Sequence, residues 1–175
     1  MATPPTGPTP NTPLGKKCPG EQDQFVAGLK FEKGDVNMVA APRHWGRTTA
    51  LGKAYAAARK KGITKIKFVC QGKTLNKEFF EEILPKCGVD DMFAMADNDA
   101  LKLIDAELIL VDDCHLRGGK RVQELVDVVR MNKVPVVLTS IVAEGDVMRN
   151  DERESLAPLI TLKKRTSRYT CEPPK

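Results

Sequence analysis

The stretch that most constrains the fold lies between residues 36 and 61, where an apolar run, a short loop and a helical pattern follow one another. The run from Val36 to Ala41 predicts a buried strand. It ends at Pro42, and a helical pattern begins at about Thr48 and continues to Lys61. A helix N-terminus presents free backbone N–H groups and the positive end of the helix dipole. A strand, a tight loop and a helix in this order therefore predict an anion-binding loop.

The loop contains a degenerate phosphate-binding motif. Residues 41–48 follow the Walker A pattern G-x-x-x-x-G-K-[ST], except that Ala41 replaces the first Gly and Arg47 replaces the Lys. Gly46 would allow the backbone to approach phosphate oxygens, and the Thr48 hydroxyl is suited to Mg²⁺. Arg47 keeps the positive charge, although its planar guanidinium is not equivalent to an ammonium group. An ordinary turn between a strand and a helix would also accommodate these residues, so the motif needs support from the rest of the chain.

That support comes from a second apolar run, which ends in two carboxylates. Leu108, Ile109, Leu110 and Val111 precede the pair Asp112-Asp113 in the form of a Walker B motif. In such a motif the first acid supports Mg²⁺ and the second orients or deprotonates the attacking water. Paired Asp residues also occur in turns and at helix caps. The two motifs together favour a P-loop NTPase with ATP and Mg²⁺ as its cofactors.

Apolar runs alternate with helical patterns along the chain, which predicts an α/β fold with a mostly parallel sheet and helices on both faces. The predicted strands cover residues 36–41, 63–70, 107–111, 134–138 and 158–162, with an ambiguous short strand near residues 92–95. The predicted helices cover residues 48–61, 75–84, 98–104, 122–129 and 151–157. The second of these is expected to end before Pro85, and Asn98 is expected to cap the third.

The ends of the chain differ in composition from its middle. Residues 1–24 are rich in Pro, Thr and Gly and predict a flexible tail, residues 25–162 predict the folded domain, and residues 163–175 predict a basic C-terminal tail. The chain has 41% hydrophobic and 29% charged residues, with a net charge of +5. That composition is typical of a globular protein, and the basic tail is suited to a phosphate backbone or simply to solvent.

Compartment and membrane contact are also expectations from the sequence. No apolar run approaches the ~20 residues of a membrane span, and the start of the chain lacks a signal-peptide pattern. The five cysteines are widely spaced without a C-x-x-C pair, which indicates reduced thiols. We therefore expect no membrane contact and an intracellular location, in the cytoplasm or a host nucleus.

Within this P-loop class, four segments resemble the ATPase core of the large terminase subunits that package DNA in tailed phages and herpesviruses. Residues 43–49 resemble their variant Walker A, 67–71 their second strand and its Gln-containing loop, 106–113 their Walker B, and 136–140 their Ser/Thr motif. The resemblance spans roughly residues 36–140 and extends to helicase-like viral ATPases. Arg47, Ala41 and Asp113 depart from the usual Lys, Gly and Glu.

The motifs and the resemblance imply a set of site residues. The residues expected to contact the nucleotide are Pro42, Arg43, His44, Trp45, Gly46, Arg47, Thr48 and Thr49. The residues expected to act in catalysis are Asp113, Arg47, Arg43, Thr139 and Ser140, with Thr48 and Asp112 at the metal. The resemblance also implies nucleic acid as a partner, DNA in preference to RNA, and a homo-oligomer or a partner protein that completes the site.

Several alternatives stay open at this level. The changes at Ala41 and Arg47 are compatible with a nucleotide-binding scaffold or regulator that has lost hydrolysis, and a helicase-like ATPase or a small nucleotide kinase would share the motifs. Gly72-Lys73-Thr74 has the Lys that the first loop lacks, but only one residue separates it from the preceding strand. Trp45 would either cover the nucleotide or pack the loop.

Overall fold

A computed structural model describes residues 19–41, 45–70, 72–91, 93–112, 127, 134–141 and 165–170. The predicted helix at 122–129 is represented only by Asp127, which is helical, and the elements predicted at 151–157 and 158–162 lie outside these residues. None of the helices in the described ranges is long and apolar enough to cross a membrane.

The described elements alternate between helix and strand. The strands are β1 (Asp35–Ala41), β2 (Ile66–Val69), β3 (Leu108–Val111), β4 (Val136–Ile141) and β5 (Arg165–Thr170). The helices are α1 (Pro19–Ala27), α2 (Arg47–Lys60), α3 (Lys73–Glu78), α4 (Leu84–Lys86) and α5 (Ala94–Ala100). A π-helical segment, Phe79–Ile83, joins α3 to α4, and a 3₁₀ turn, Leu103–Asp105, follows α5.

The five strands form one sheet in the order β2-β3-β4-β1-β5, and every pair is parallel. This confirms the predicted α/β class with a parallel sheet. β4 lies between β1 and β3, with Val39 of β1 opposite Thr139 and Val111 of β3 opposite Leu138. The carboxyl ends of β1, β3 and β4 therefore meet at one edge of the sheet, which is where open parallel sheets bind ligands.

The central strands are buried on both faces. In β1, Val39 and Ala41 join a large apolar cluster, whereas Val36, Met38 and Ala40 join a second cluster. This alternation is the two-residue period of a strand. The first cluster also contains apolar residues of α1, α2 and the 79–84 segment, and the second contains Ala106 and Val134.

Close packing between helices depends on one glycine. A Cβ at Gly52 of α2 would lie 2.7 Å from Ile83 Cγ2 and 2.9 Å from Cys87 Sγ. Gly52 therefore allows α2 to approach the helical segment that follows β2. This contact packs α2 against helices that lie next to the edge strand β2.

The described elements extend past the predicted boundaries of the folded domain at both ends. Residues 19–24 were assigned to a tail, but α1 begins at Pro19 and buries Gln22 against the core. Pro at a helix start and an acidic residue in the first turn both favour this helix. Residues 163–175 were also assigned to a tail, but 165–170 form β5 and pair with β1. Thr and Tyr favour strands, and charged residues are well tolerated on an edge strand.

Two predicted helix boundaries also differ from the structure. The helix after β2 continues through Pro85 to Lys86. Pro85 has no N–H to donate to a carbonyl of the preceding turn, and a π-helical segment, in which Leu84 N–H donates to Phe79 O, lies directly before it. Asn98 does not cap a helix, because it lies inside α5, where residues 94 and 95 are helical as well.

Candidate nucleotide site

Gly46, the residue directly before α2, has the backbone conformation that favours a glycine. Gly46 has φ 90° and ψ 45°, a left-handed conformation that is unfavourable for residues with a Cβ. Its carbonyl accepts the first helical hydrogen bond from Ala50 N–H at 2.9 Å. No side chain in the described residues caps the N-terminus of α2. The first amides of this 14-residue helix therefore have the arrangement that an anion requires.

Three of the predicted site residues form a hydrogen-bonded chain across the sheet edge. Thr48 Oγ1 donates to Asp112 Oδ2 at 2.7 Å, and Thr139 Oγ1 donates to Asp112 Oδ1 at 2.8 Å. Asp112 is 1% exposed and Thr139 is fully buried, whereas Thr48 is partly exposed. Both oxygens of one carboxylate are thus fixed by hydroxyls from α2 and β4. We call these three residues the central triad.

The central triad is chemically suited to Mg²⁺. Mg²⁺ prefers hard oxygen ligands and is usually held by one or two carboxylates together with substrate phosphates and water. The Thr48 hydroxyl and the Asp112 carboxylate are such ligands. Asp112 directly follows β3 and is hydrogen-bonded to Thr48 in the first turn of α2. The described residues contain no group of three or more His, Cys, Asp or Glu side chains that could hold a metal ion.

Arg47 lies at the position of the Walker A lysine. Its Nη1 donates to the carbonyl oxygen of Ala41 at 2.9 Å, so the guanidinium bridges the last residue of β1 and the first residue of α2. A guanidinium has five N–H donors, and this bond uses one of them. Arg47 thus joins the two ends of the loop through this hydrogen bond.

A polar contact from α1 supports the same loop. Gln22 Nε2 donates to the carbonyl of Trp45 at 2.8 Å and to that of Gly46 at 3.3 Å. The Trp45 indole N–H donates to Glu21 Oε2, and the indole is 1% exposed. Lys53 of α2 is paired with Asp23 at 2.9 Å. The Trp45 ring therefore packs the loop against α1 and does not present a face to a ligand in this structure.

Sequence reasoning missed Glu21 and Gln22 because the composition of residues 1–24 suggested a tail. The signal that was present is a helix start at Pro19 followed by Phe25 and Leu29, which are buried. The composition of the preceding segment concealed it.

The remaining predicted site residues are placed as follows. Thr49 lies in the first turn of α2 and is partly buried. The backbone of Ser140 is part of β4. Pro42, Arg43, His44 and Asp113 lie outside the described residues. The roles predicted for these residues stay predictions.

Comparisons with known proteins identify the fold and not a family. No protein-family model matches the chain, and no curated protein is similar to it in sequence. Among solved structures, the DnaC helicase loader matches with a TM-score of 0.51 and 15% identity, over 94% of this chain and 96% of that one. The UvsW helicase from bacteriophage T4 matches with a TM-score of 0.54 and 12% identity, over 84% of this chain. The Pyrococcus furiosus Hef helicase domain matches with a TM-score of 0.53 and 16% identity, over 86% of this chain.

These likenesses agree with the sheet and the loop described above. The chain spans 58% of the UvsW structure and 37% of the Hef structure, so it corresponds to a part of each. At such low identity the shared feature is the architecture. The chain has the α/β fold of P-loop NTPases, with Gly46 in a left-handed conformation directly before α2.

Proposed function

We propose that this chain is a Mg-ATP-binding P-loop ATPase that couples hydrolysis to work on nucleic acid. The observation that carries the proposal is the central triad, in which Asp112 accepts hydrogen bonds from Thr48 and Thr139 at once. One buried carboxylate thereby connects the phosphate loop, the Walker B-like strand and the strand between them. A change at the loop would reach β4 through two hydrogen bonds.

The proposed roles follow from the chemistry of each group. Thr48 and Asp112 would hold Mg²⁺, and the α2 amides together with Arg47 would hold phosphate oxygens. Asp113 would orient the attacking water, and its side chain is one methylene shorter than the usual Glu. Bound Mg-ATP would supply the transferable phosphoryl group and the cation that neutralises its charge.

Three further predicted residues complete the proposed site. Thr139 and Ser140 would respond to the γ-phosphate from the end of β4. Arg43, inside the loop, would stabilise negative charge that develops in the transition state.

The proposed work is on DNA. The similar structures are named as a helicase loader and two helicases, which supports a helicase-like ATPase that acts on nucleic acid. The preference for DNA over RNA rests on the resemblance of the sequence motifs to DNA-packaging terminases. DNA packaging by a viral motor is the narrower form of this proposal, and it rests on the sequence motifs alone. Ring-forming motors complete each site with a neighbouring subunit, so we also propose a homo-oligomer or a partner protein, in the cytoplasm or a host nucleus.

A second candidate is supported by the contact of Arg47. Its guanidinium donates to Ala41 O and so is bonded to the loop itself. If that contact persists when nucleotide is bound, the positive charge is less available to the β- and γ-phosphates. The chain would then be a nucleotide-binding module with little or no turnover.

The test is phosphate release from Mg-ATP by the full chain, alone and with single-stranded DNA, duplex DNA or RNA. Asp113→Asn and Arg47→Ala are the variants, and Lys60→Ala, an exposed cation at the end of α2, is the matched control. Turnover that rises with DNA, is lost in both variants and persists in the control would support the ATPase. Tight Mg-ATP binding without turnover under every condition would contradict it and favour the binding module.

A further inference from the structure

A cavity of about 590 Å³ lies at the carboxyl end of β2, the edge strand of the sheet. Its floor is the end of β2 from Lys67 to Cys70, one wall is α3, and the other wall is α5. None of the residues of the central triad or of the loop at 45–49 lines it. We call this space the edge cavity. Its volume is within the range of ligand pockets, which is roughly 300–1,000 Å³.

The α3 wall is cationic. Lys73, Asn76 and Lys77 line the edge cavity, and their spacing of three and four residues places them on one face of the helical segment. Lys73 and Lys77 are exposed at its mouth, and neither makes an ion pair within the described part of the chain. Lys73 and Lys77 outnumber Asp99, the one carboxylate among the described lining residues, and this excess of positive charge favours an anion at the mouth.

The inner end of the edge cavity is fixed by hydrogen bonds. Asn98 of α5 is 2% exposed, and its Oδ1 accepts from Phe68 N–H of β2 at 2.6 Å. The carbonyl of Asn98 accepts from Lys67 Nζ. Burial lowers the pKa of Lys67, and the nearby carboxylate of Asp99 opposes this effect. The polar groups at the inner end are therefore engaged with each other, which leaves the α3 side chains to meet a ligand.

The rest of the lining is mostly apolar or amide in character, apart from Lys67 and the exposed carboxylate of Asp99. Val69 and Met95 are partly buried and pack against the two different apolar clusters, while Asn76 is partly buried on α3. A ligand that fits such a lining has a flat, largely apolar part and an anionic part. A sugar phosphate without a base would leave the apolar wall unused.

We propose that the edge cavity binds one nucleoside phosphate unit, with the base against the apolar side chain of Met95 and the phosphate at Lys73 and Lys77. Asn76 would donate to or accept from the base or ribose edge. A free mononucleotide and one nucleotide of a single strand share this chemistry. The proposal gives Lys73 of the Gly72-Lys73-Thr74 triplet a phosphate contact in a site other than the Walker A loop, and it does not depend on ATP hydrolysis.

The test uses the full chain without Mg-ATP and two probes, adenosine 5′-monophosphate by calorimetry and a fluorescein-labelled oligothymidylate by anisotropy. The cavity variants are Lys73→Gln/Lys77→Gln and Met95→Glu. The matched control is Lys60→Gln/Lys86→Gln, which removes two exposed cations at the ends of other helices. The affinity for Mg-ATP is measured on every variant, so that loss at the edge cavity is separated from failure of the nucleotide site.

We expect each cavity variant to weaken binding of a probe at least tenfold, the control to change it less than twofold, and the Mg-ATP affinity to stay the same in all of them. If the monophosphate binds and displaces the oligonucleotide, the ligand is a free nucleotide. If the oligonucleotide alone binds and is weakened by the cavity variants, the ligand is one unit of a strand. The proposal is overturned if neither probe binds, or if the cavity variants change binding no more than the control does.

Discussion

The central triad and the edge cavity lie at the carboxyl ends of strands of the same sheet, but they present polar groups in opposite ways. In the triad, Thr48, Asp112 and Thr139 bond to one another, and two of them are almost completely buried. At the edge, Lys73 and Lys77 are exposed and face open space. A buried polar group without a partner is costly, so the triad has to be satisfied by the protein itself. Changes at the triad should therefore reduce both stability and function, whereas changes at the edge should reduce only binding.

The largest expected effect is on turnover at the triad. Asp112→Asn keeps the shape of the side chain and removes its charge. We expect phosphate release from Mg-ATP to fall by about 100-fold or more, since the proposed role of this carboxylate in holding Mg²⁺ requires its charge. Asp97→Asn, an exposed carboxylate of α5, is the control and should leave the rate within about twofold. If the two substitutions reduced the rate of phosphate release equally, the result would contradict the expectation that the triad matters more for turnover than a carboxylate of α5 does.

The next effect is on stability at the same place. Thr139→Val removes a fully buried hydroxyl that donates to Asp112. We expect the free energy of unfolding in urea to fall by about 1–3 kcal/mol, because the carboxylate loses a donor in a buried position. Thr139→Ser should recover most of the loss, and Lys73→Gln at the edge should change stability by less than about 0.5 kcal/mol. A Val variant as stable as the native chain would show that the triad is not held by this bond.

A smaller effect is expected where α1 supports the loop. Gln22→Leu removes the donor to the Trp45 and Gly46 carbonyls. We expect a loss of about 1 kcal/mol in unfolding free energy, together with weaker Mg-ATP binding because the loop is held less firmly. Gln24→Leu, on the exposed side of the same helix, is the control. Loss of stability with unchanged Mg-ATP affinity would limit α1 to a structural role.

The smallest effect concerns the edge strand and pH. Glu107 Oε1 accepts from Lys65 N–H at 3.0 Å and from Thr64 N–H at 3.3 Å, and the hydrogen bond from the Lys65 backbone lowers the pKa of Glu107 below its usual value. A carboxyl whose pKa is lowered by folding stabilises the protein above its unfolded pKa and loses that contribution as the pH falls through its folded pKa.

Glu107→Gln should therefore reduce the acid sensitivity of unfolding slightly between about pH 5 and pH 3, the acid side of an ordinary Glu pKa. Urea titrations of the native chain and the variant at these two pH values measure the difference. A variant with the same pH dependence as the native chain would contradict the prediction. The exposed position of Glu107 keeps the expected change small.

Several features of the site could be predicted because they depend on local chemistry. Gly46 was expected at a point where the backbone approaches an anion, and it has the left-handed conformation that only a glycine adopts easily. The apolar runs at β1, β3 and β4 predicted buried parallel strands, because strands covered on both faces must be apolar throughout. The sequence also predicted Thr48 at the start of a helix, and Asp112 and Thr139 at the ends of apolar strands.

Other features could not be predicted because they depend on distant partners. Gln22 supports the loop only through its hydrogen bonds to Trp45 and Gly46, which lie 23 and 24 positions further along the chain. Asn98 appeared to be a helix cap, but its amide pairs with the edge of β2, 30 residues away. The π-helical segment before Pro85 allows the helix to continue where the local rule predicts an end.

The sequence by itself determined the alternation of strands and helices, the place of the glycine before α2 and the chemical types of the site residues, since these follow from side-chain polarity and backbone freedom over a few residues. Only the tertiary structure decided that β4 lies between β1 and β3, which brings both oxygens of Asp112 to hydroxyls on either side. It also decided that α1 supports the loop and that a cationic cavity lies beside β2. The physical reason is that strand order and helix docking are set by which buried surfaces fit together, and residues far apart in the chain contribute to those surfaces.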